Sequence, residues 1–73
     1  MKFETAYNKR ASFFKGKKAT TNIDLKNFHN QLIPSNSTVE IIDKSRGLKV
    51  FFDIKFNEIL INNVSHENLD LIK

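Results

Sequence analysis

Apolar residues occupy every second position from Leu48 to Phe56, by way of Val50, Phe52 and Ile54. Side chains alternate between the two faces of a β-strand, so this pattern predicts a strand over 48–56 with one face buried. No other segment of the sequence constrains the fold as strongly.

Two neighbouring segments are expected to pair with this strand as hairpins. A tight turn after Phe56 places it opposite Ile59. On the other side, a loop over 44–47 places Ile41 opposite Val50. Both hairpins then put their apolar residues on one face, which predicts a three-stranded antiparallel meander of strands 38–43, 48–56 and 59–64.

The first segment, 2–15, is predicted to form an amphipathic helix. At 100° per residue its apolar side chains fall in one stripe, although Arg10 lies in the middle of that stripe. Gly16 stands at the C′ position, where helices commonly end. A strand over 3–7 is the alternative. The stripe consists of Phe3, Ala6, Tyr7, Phe13 and Phe14.

A second helix is predicted over 21–33. Thr21 can cap it, Leu25, Phe28 and Leu32 share one face, and Pro34 ends it.

The C-terminal element, 66–72, fits a short helix capped by Ser65 or a strand. The predicted fold is therefore α+β: a single small domain, 1–73, with two N-terminal helices packed on a three-stranded antiparallel β-meander and a short C-terminal element, in the order ααβββα.

Positive charge is concentrated in the first third of the chain. Residues 1–26 hold seven cations and two acids, while residues 27–73 hold five cations and six acids, which together give the net charge of +4. A basic face of this kind suits nucleic acid or another anionic partner. The candidate binding residues are Lys9, Arg10, Lys15, Lys17, Lys18 and Lys26.

The outer face of the predicted meander carries an apolar cluster of Phe51, Leu60 and Val64, with Phe51 opposite Val64. A solvated sheet face needs no such cluster. Either the C-terminal segment covers it, or it is a protein interface, including that of a homodimer.

Other classes of function find little support in the sequence. There is no cysteine, and the only two histidines, His29 and His66, lack metal-ligand spacing. No phosphate-binding loop or nucleophile motif occurs, so we expect no enzyme activity, no metal and no cofactor. No apolar run is long enough to cross a membrane, and a cytoplasmic protein is expected.

The function predicted from the sequence is a non-enzymatic nucleic-acid-binding module with an accessory or regulatory role. The alternative is a small inhibitor or adaptor that occludes an acidic protein surface or a nucleoprotein complex. The Asn-, Lys- and Ile-rich composition is compatible with a phage or mobile-element origin.

Overall fold

The computed structural model describes residues 1–72, apart from the side chain of Arg46. Strands are its predominant regular structure, alongside two short helices and one 3₁₀ turn. The elements in chain order are α1 (Phe3–Asn8), α2 (Ala11–Phe14), β1 (Lys18–Thr21), β2 (Leu25–Lys26), β3 (Leu32–Ile33), β4 (Thr38–Arg46), β5 (Val50–Phe56), β6 (Ile59–Ser65), the 3₁₀ turn (His66–Asn68) and β7 (Leu69–Leu71).

Five strands form one antiparallel sheet in the order β6-β5-β4-β1-β7, and β2 and β3 form a separate two-stranded ribbon. The predicted fold, two helices packed on a three-stranded meander, is therefore wrong. The meander exists as β4-β5-β6, but β1 and β7 extend it.

The sheet is strongly curled, because its two edge strands are close in sequence. Only His66–Asn68 connects β6 to β7. In a flat sheet, four strand spacings would separate them by about 19 Å, whereas the four residue steps available span at most about 14 Å. The sheet therefore bends into a half-open barrel, and irregularities in the β4–β5 and β5–β6 pairings supply local bends.

The predicted register holds close to the second turn and fails elsewhere. Phe56 pairs with Ile59, as expected. A register shift between Phe52 and Ile54 then places Phe51 opposite Ser65, one residue beyond the predicted partner. In the first hairpin β4 continues to Arg46, so Ile41 pairs with Ile54 and not with Val50.

The predicted helix over 2–15 is interrupted after Asn8. Lys9 and Arg10 adopt extended backbone conformations, and α2 begins after them. A continuous helix would carry Arg10 into the middle of the buried stripe, whereas the break leaves Arg10 exposed and still buries Ala6 and Phe14. Gly16 takes the expected C′ position after α2, with φ +85.

The predicted helix over 21–33 does not form. Thr21 ends β1 and is fully buried, where its hydroxyl donates to the Pro34 carbonyl and accepts from the Ser37 N–H. The Asn27 side chain accepts hydrogen bonds from two backbone N–H groups at the tip of the ribbon. Such side-chain bonds compete with helix formation, and here they stabilise a turn.

Both alternatives for the C-terminal element occur in succession. Ser65 caps the 3₁₀ turn by accepting from the Glu67 N–H, and Leu69 then opens β7 and is fully buried. The core lies between the curled sheet and the two helices. Its largest fully buried apolar side chains are Phe14, Phe52, Ile33, Ile41, Ile54, Leu69, Val39 and Val50.

Candidate functional site

Two consecutive phenylalanines of α2 have different surroundings. Phe14 is fully buried, whereas Phe13 is 39% exposed, because successive residues of a helix point about 100° apart. The ammonium groups of Lys9 and Lys17 lie 5.2 Å and 4.6 Å from the centre of the Phe13 ring. Both distances fall within the range of cation–π contact.

Arg10 is exposed and immediately precedes α2, next to Lys9 in the chain. Together Lys9, Arg10, Phe13 and Lys17 form what we call the basic–aromatic cluster. Among residues 1–72, none of its three cations has a carboxylate within 4.0 Å.

The other predicted basic residues have different environments. Lys15 faces Asp43 at 3.8 Å, and Lys18 faces Glu40 at 3.6 Å. Lys26 lies on β2, where it lines a concavity between the ribbon and β6 that contains no residue of the basic–aromatic cluster. The structure therefore brings together three of the six predicted basic residues.

Lys44 is a further basic residue of this region, and sequence reasoning placed it in a loop. It lies instead on β4, where its ammonium group donates to the backbone carbonyls of Tyr7 and Lys9. The same group lies 5.3 Å from the centre of the Phe14 ring. Lys44 therefore links β4 to the break between the two helices, and only the unexpected length of β4 puts it there.

The apolar cluster predicted on the outer sheet face does not form. Val64 is 4% exposed and pairs with Phe52 in the core, because an extra residue of β6 shifts the β5–β6 register by one position. Phe51 is half-buried, and Leu60 is 56% exposed.

The two histidines are in contrasting environments. His66 is buried, with Nδ1 2.8 Å from the Met1 carbonyl oxygen and its ring edge-on to Phe3. His29 is exposed at the ribbon. Across residues 1–72 no three His, Asp or Glu side chains converge in a way that could hold a metal ion.

Within residues 1–72, no helix is both long enough and apolar enough to cross a membrane. Comparison of this chain with protein-family models, with curated proteins and with solved structures finds no match.

Proposed function

We propose that this chain is a non-enzymatic nucleic-acid-binding module, with an accessory or regulatory role, that contacts phosphate groups through the basic–aromatic cluster. One observation carries the proposal: the ammonium groups of Lys9 and Lys17 both contact the half-exposed ring of Phe13. Neither ammonium group has a carboxylate within 4.0 Å among residues 1–72.

Mutual repulsion of the two lysines supports an anionic ligand. Both ammonium groups lie within 5.2 Å of the Phe13 ring centre, so they are no farther apart than about 10 Å, which is one Debye length at 0.1 M salt. Like charges at this separation repel each other in the free protein. An anion between or beside them relieves that repulsion, whereas Lys15 and Lys18 already face acids.

The arrangement favours the sugar–phosphate backbone over the bases. A base would stack on an open aromatic face, but two ammonium groups already contact the Phe13 ring. Cations that contact only phosphates carry little sequence information. The proposed binding is therefore largely independent of nucleotide sequence.

Fluorescence anisotropy with labelled single- and double-stranded DNA and RNA tests the proposal. Three phosphate contacts on duplex DNA predict about a 40-fold loss of affinity between roughly 50 and 200 mM salt. The double variant Lys9→Gln/Lys17→Gln leaves one contact, for which the same change in salt predicts only about a fourfold loss.

Lys15→Gln/Lys18→Gln is the matched control, because it removes the same charge from two lysines that face acids. We expect the control to weaken binding much less than the Lys9/Lys17 double variant does. Equal losses for the two variants, or no binding of any of the four nucleic acids at low salt, would contradict the proposal.

Protein binding is a second candidate function, favoured by one observation away from the cluster. Phe28 is fully exposed at the tip of the ribbon, beside a concavity that it lines together with Leu60 of β6. Exposed aromatic side chains of this kind are common anchors at protein interfaces. This candidate predicts a protein partner that binds the unmodified protein and the Lys9→Gln/Lys17→Gln variant but does not bind the Phe28→Asp variant.

A further inference from the structure

We infer that the concavity at the break between α1 and α2 is a subsite for a single phosphate group. This inference rests on the proposed function and identifies where one backbone phosphate of the nucleic acid binds. The concavity has a volume of about 510 Å³, and its lining residues are Tyr7, Asn8, Lys9, Arg10, Ala11 and Lys44.

Three of the six described residues that line the concavity are cations, and they come from two separate parts of the fold. Lys9 and Arg10 belong to the break between the helices, and Lys44 belongs to β4. None of the residues that the structure places in this lining is acidic. Asp43 precedes Lys44 in the chain, but its carboxylate accepts from the Lys44 backbone N–H and faces the Lys15 ammonium group at 3.8 Å.

The position of the Lys44 ammonium group is set by the protein and not by a ligand. It donates to the carbonyls of Tyr7 and Lys9 and lies over the Phe14 ring. Its side chain is therefore ordered before any ligand arrives, which reduces the entropy lost on binding. Arg10 and Lys9 are exposed and can close over the ligand from the rim.

Arg10 gives the site its preference for phosphate. A guanidinium group presents parallel N–H donors that match two oxygens of one phosphate, whereas a lysine acts as a point charge. Tyr7 and Asn8, two polar residues, also belong to the lining. The shared chemistry is a tetrahedral oxyanion, supplied either as free phosphate or as a backbone phosphodiester.

NMR titration of ¹⁵N-labelled protein separates these two sources. Inorganic phosphate is added first, and a short DNA duplex is added to a second sample. We expect both probes to shift the backbone amides of residues 8–11. Arg10→Gln should abolish the phosphate-induced shifts, weaken duplex binding about tenfold at 50 mM salt and lower the salt slope by about 0.9. Arg10→Lys should keep the slope and recover only part of the affinity.

Lys55→Gln is the matched control, since it removes one cation from a different concavity, which Lys18 and Glu40 also line. Duplex binding that leaves residues 8–11 unshifted, or an Arg10→Gln variant that behaves like Lys55→Gln, would overturn the subsite and leave the proposed function standing. Shifts with inorganic phosphate but no binding of nucleic acid at low salt would support the subsite and contradict the proposed function.

Discussion

The ring of Phe14 meets the ring of Phe52 edge to face, with the two centroids 4.9 Å apart. Both side chains are fully buried. This contact joins α2 to the middle of β5, and so it holds the N-terminal segment, with its basic–aromatic cluster, against the sheet. Phe14 therefore supports the fold, whereas the residue before it belongs to the candidate site.

Phe14→Ala is expected to destabilise the protein severely. Truncation of a buried phenylalanine costs about 3–5 kcal/mol, and a chain of this length has a total stability of about 4–11 kcal/mol. Urea denaturation followed by circular dichroism measures the loss. Phe13→Ala is the control and should lose clearly less; similar losses for the two variants would contradict the assignment of Phe14 to the core.

Phe13→Ala is expected to weaken binding of nucleic acid without changing its salt slope. The ring restrains Lys9 and Lys17, and ordering two such side chains only on binding costs about 0.5–1.5 kcal/mol each, roughly a tenfold loss of affinity. The number of phosphate contacts stays the same, so anisotropy titrations at several salt concentrations should give parallel lines. A lower slope would mean that the ring positions the lysines for contacts they cannot otherwise make.

Glu40→Gln is expected to strengthen binding of nucleic acid, because it removes the acid that faces Lys18 at 3.6 Å. The pair is partly exposed, so its loss changes stability by no more than about 1 kcal/mol. Binding should tighten about twofold at low salt, since one further cation becomes available. Glu58→Gln makes the same change of charge with no salt bridge lost in residues 1–72, and it should tighten binding less.

Thr21→Val is expected to destabilise the protein by about 1–3 kcal/mol, although the two side chains have nearly the same shape. The hydroxyl of the fully buried Thr21 donates to the Pro34 carbonyl and accepts from the Ser37 N–H. Valine would remove the acceptor of the Ser37 N–H, whereas the Pro34 carbonyl would keep the Ser37 hydroxyl as a donor. Thr20→Val, at the partly exposed neighbouring position, should have little effect in thermal denaturation. Equal stability of the two variants would show that these backbone groups find other partners.

Local patterns were sufficient to predict one hairpin of the fold. The alternation from Val50 to Phe56 and the turn after it set the pairing of Phe56 with Ile59, because all of these residues are close in sequence. The register shift a few residues later was not predictable in the same way. There the Asp53 side chain accepts from the Asn63 N–H, and Asn63 has a positive φ, so the irregularity depends on a contact between strands.

The helix predicted over 21–33 failed for a related reason. Leu25 and Leu32 fit a helical face, but they also fit two short strands, and helical periodicity alone does not distinguish these cases. The Asn27 side chain accepts from nearby backbone N–H groups and the Thr21 hydroxyl donates to the Pro34 carbonyl, and these bonds favour the turn over the helix. Such bonds depend on where each side chain points, and composition carries no information about that direction.

The candidate site was predictable in its charge but not in its geometry. Lys9, Arg10 and Lys17 were recognisable as a basic segment. Lys44 was not associated with them, because its contact with the Tyr7 carbonyl requires both the helix break and the full length of β4. The pairing of Lys15 and Lys18 with acids likewise depends on residues of β4 that lie far away in sequence.

The pairing of β1 with β7 has a consequence for synthesis on the ribosome. β1 is made early, but its partner on one side, Leu69–Leu71, emerges only after the rest of the sheet. Until then one edge of β1 exposes unpaired N–H and C=O groups, which are a template for association with other chains. A nascent or truncated chain that stops before β7 is therefore expected to aggregate or to engage chaperones, until the three residues of β7 pair with this edge of β1 and leave only a short edge strand in its place.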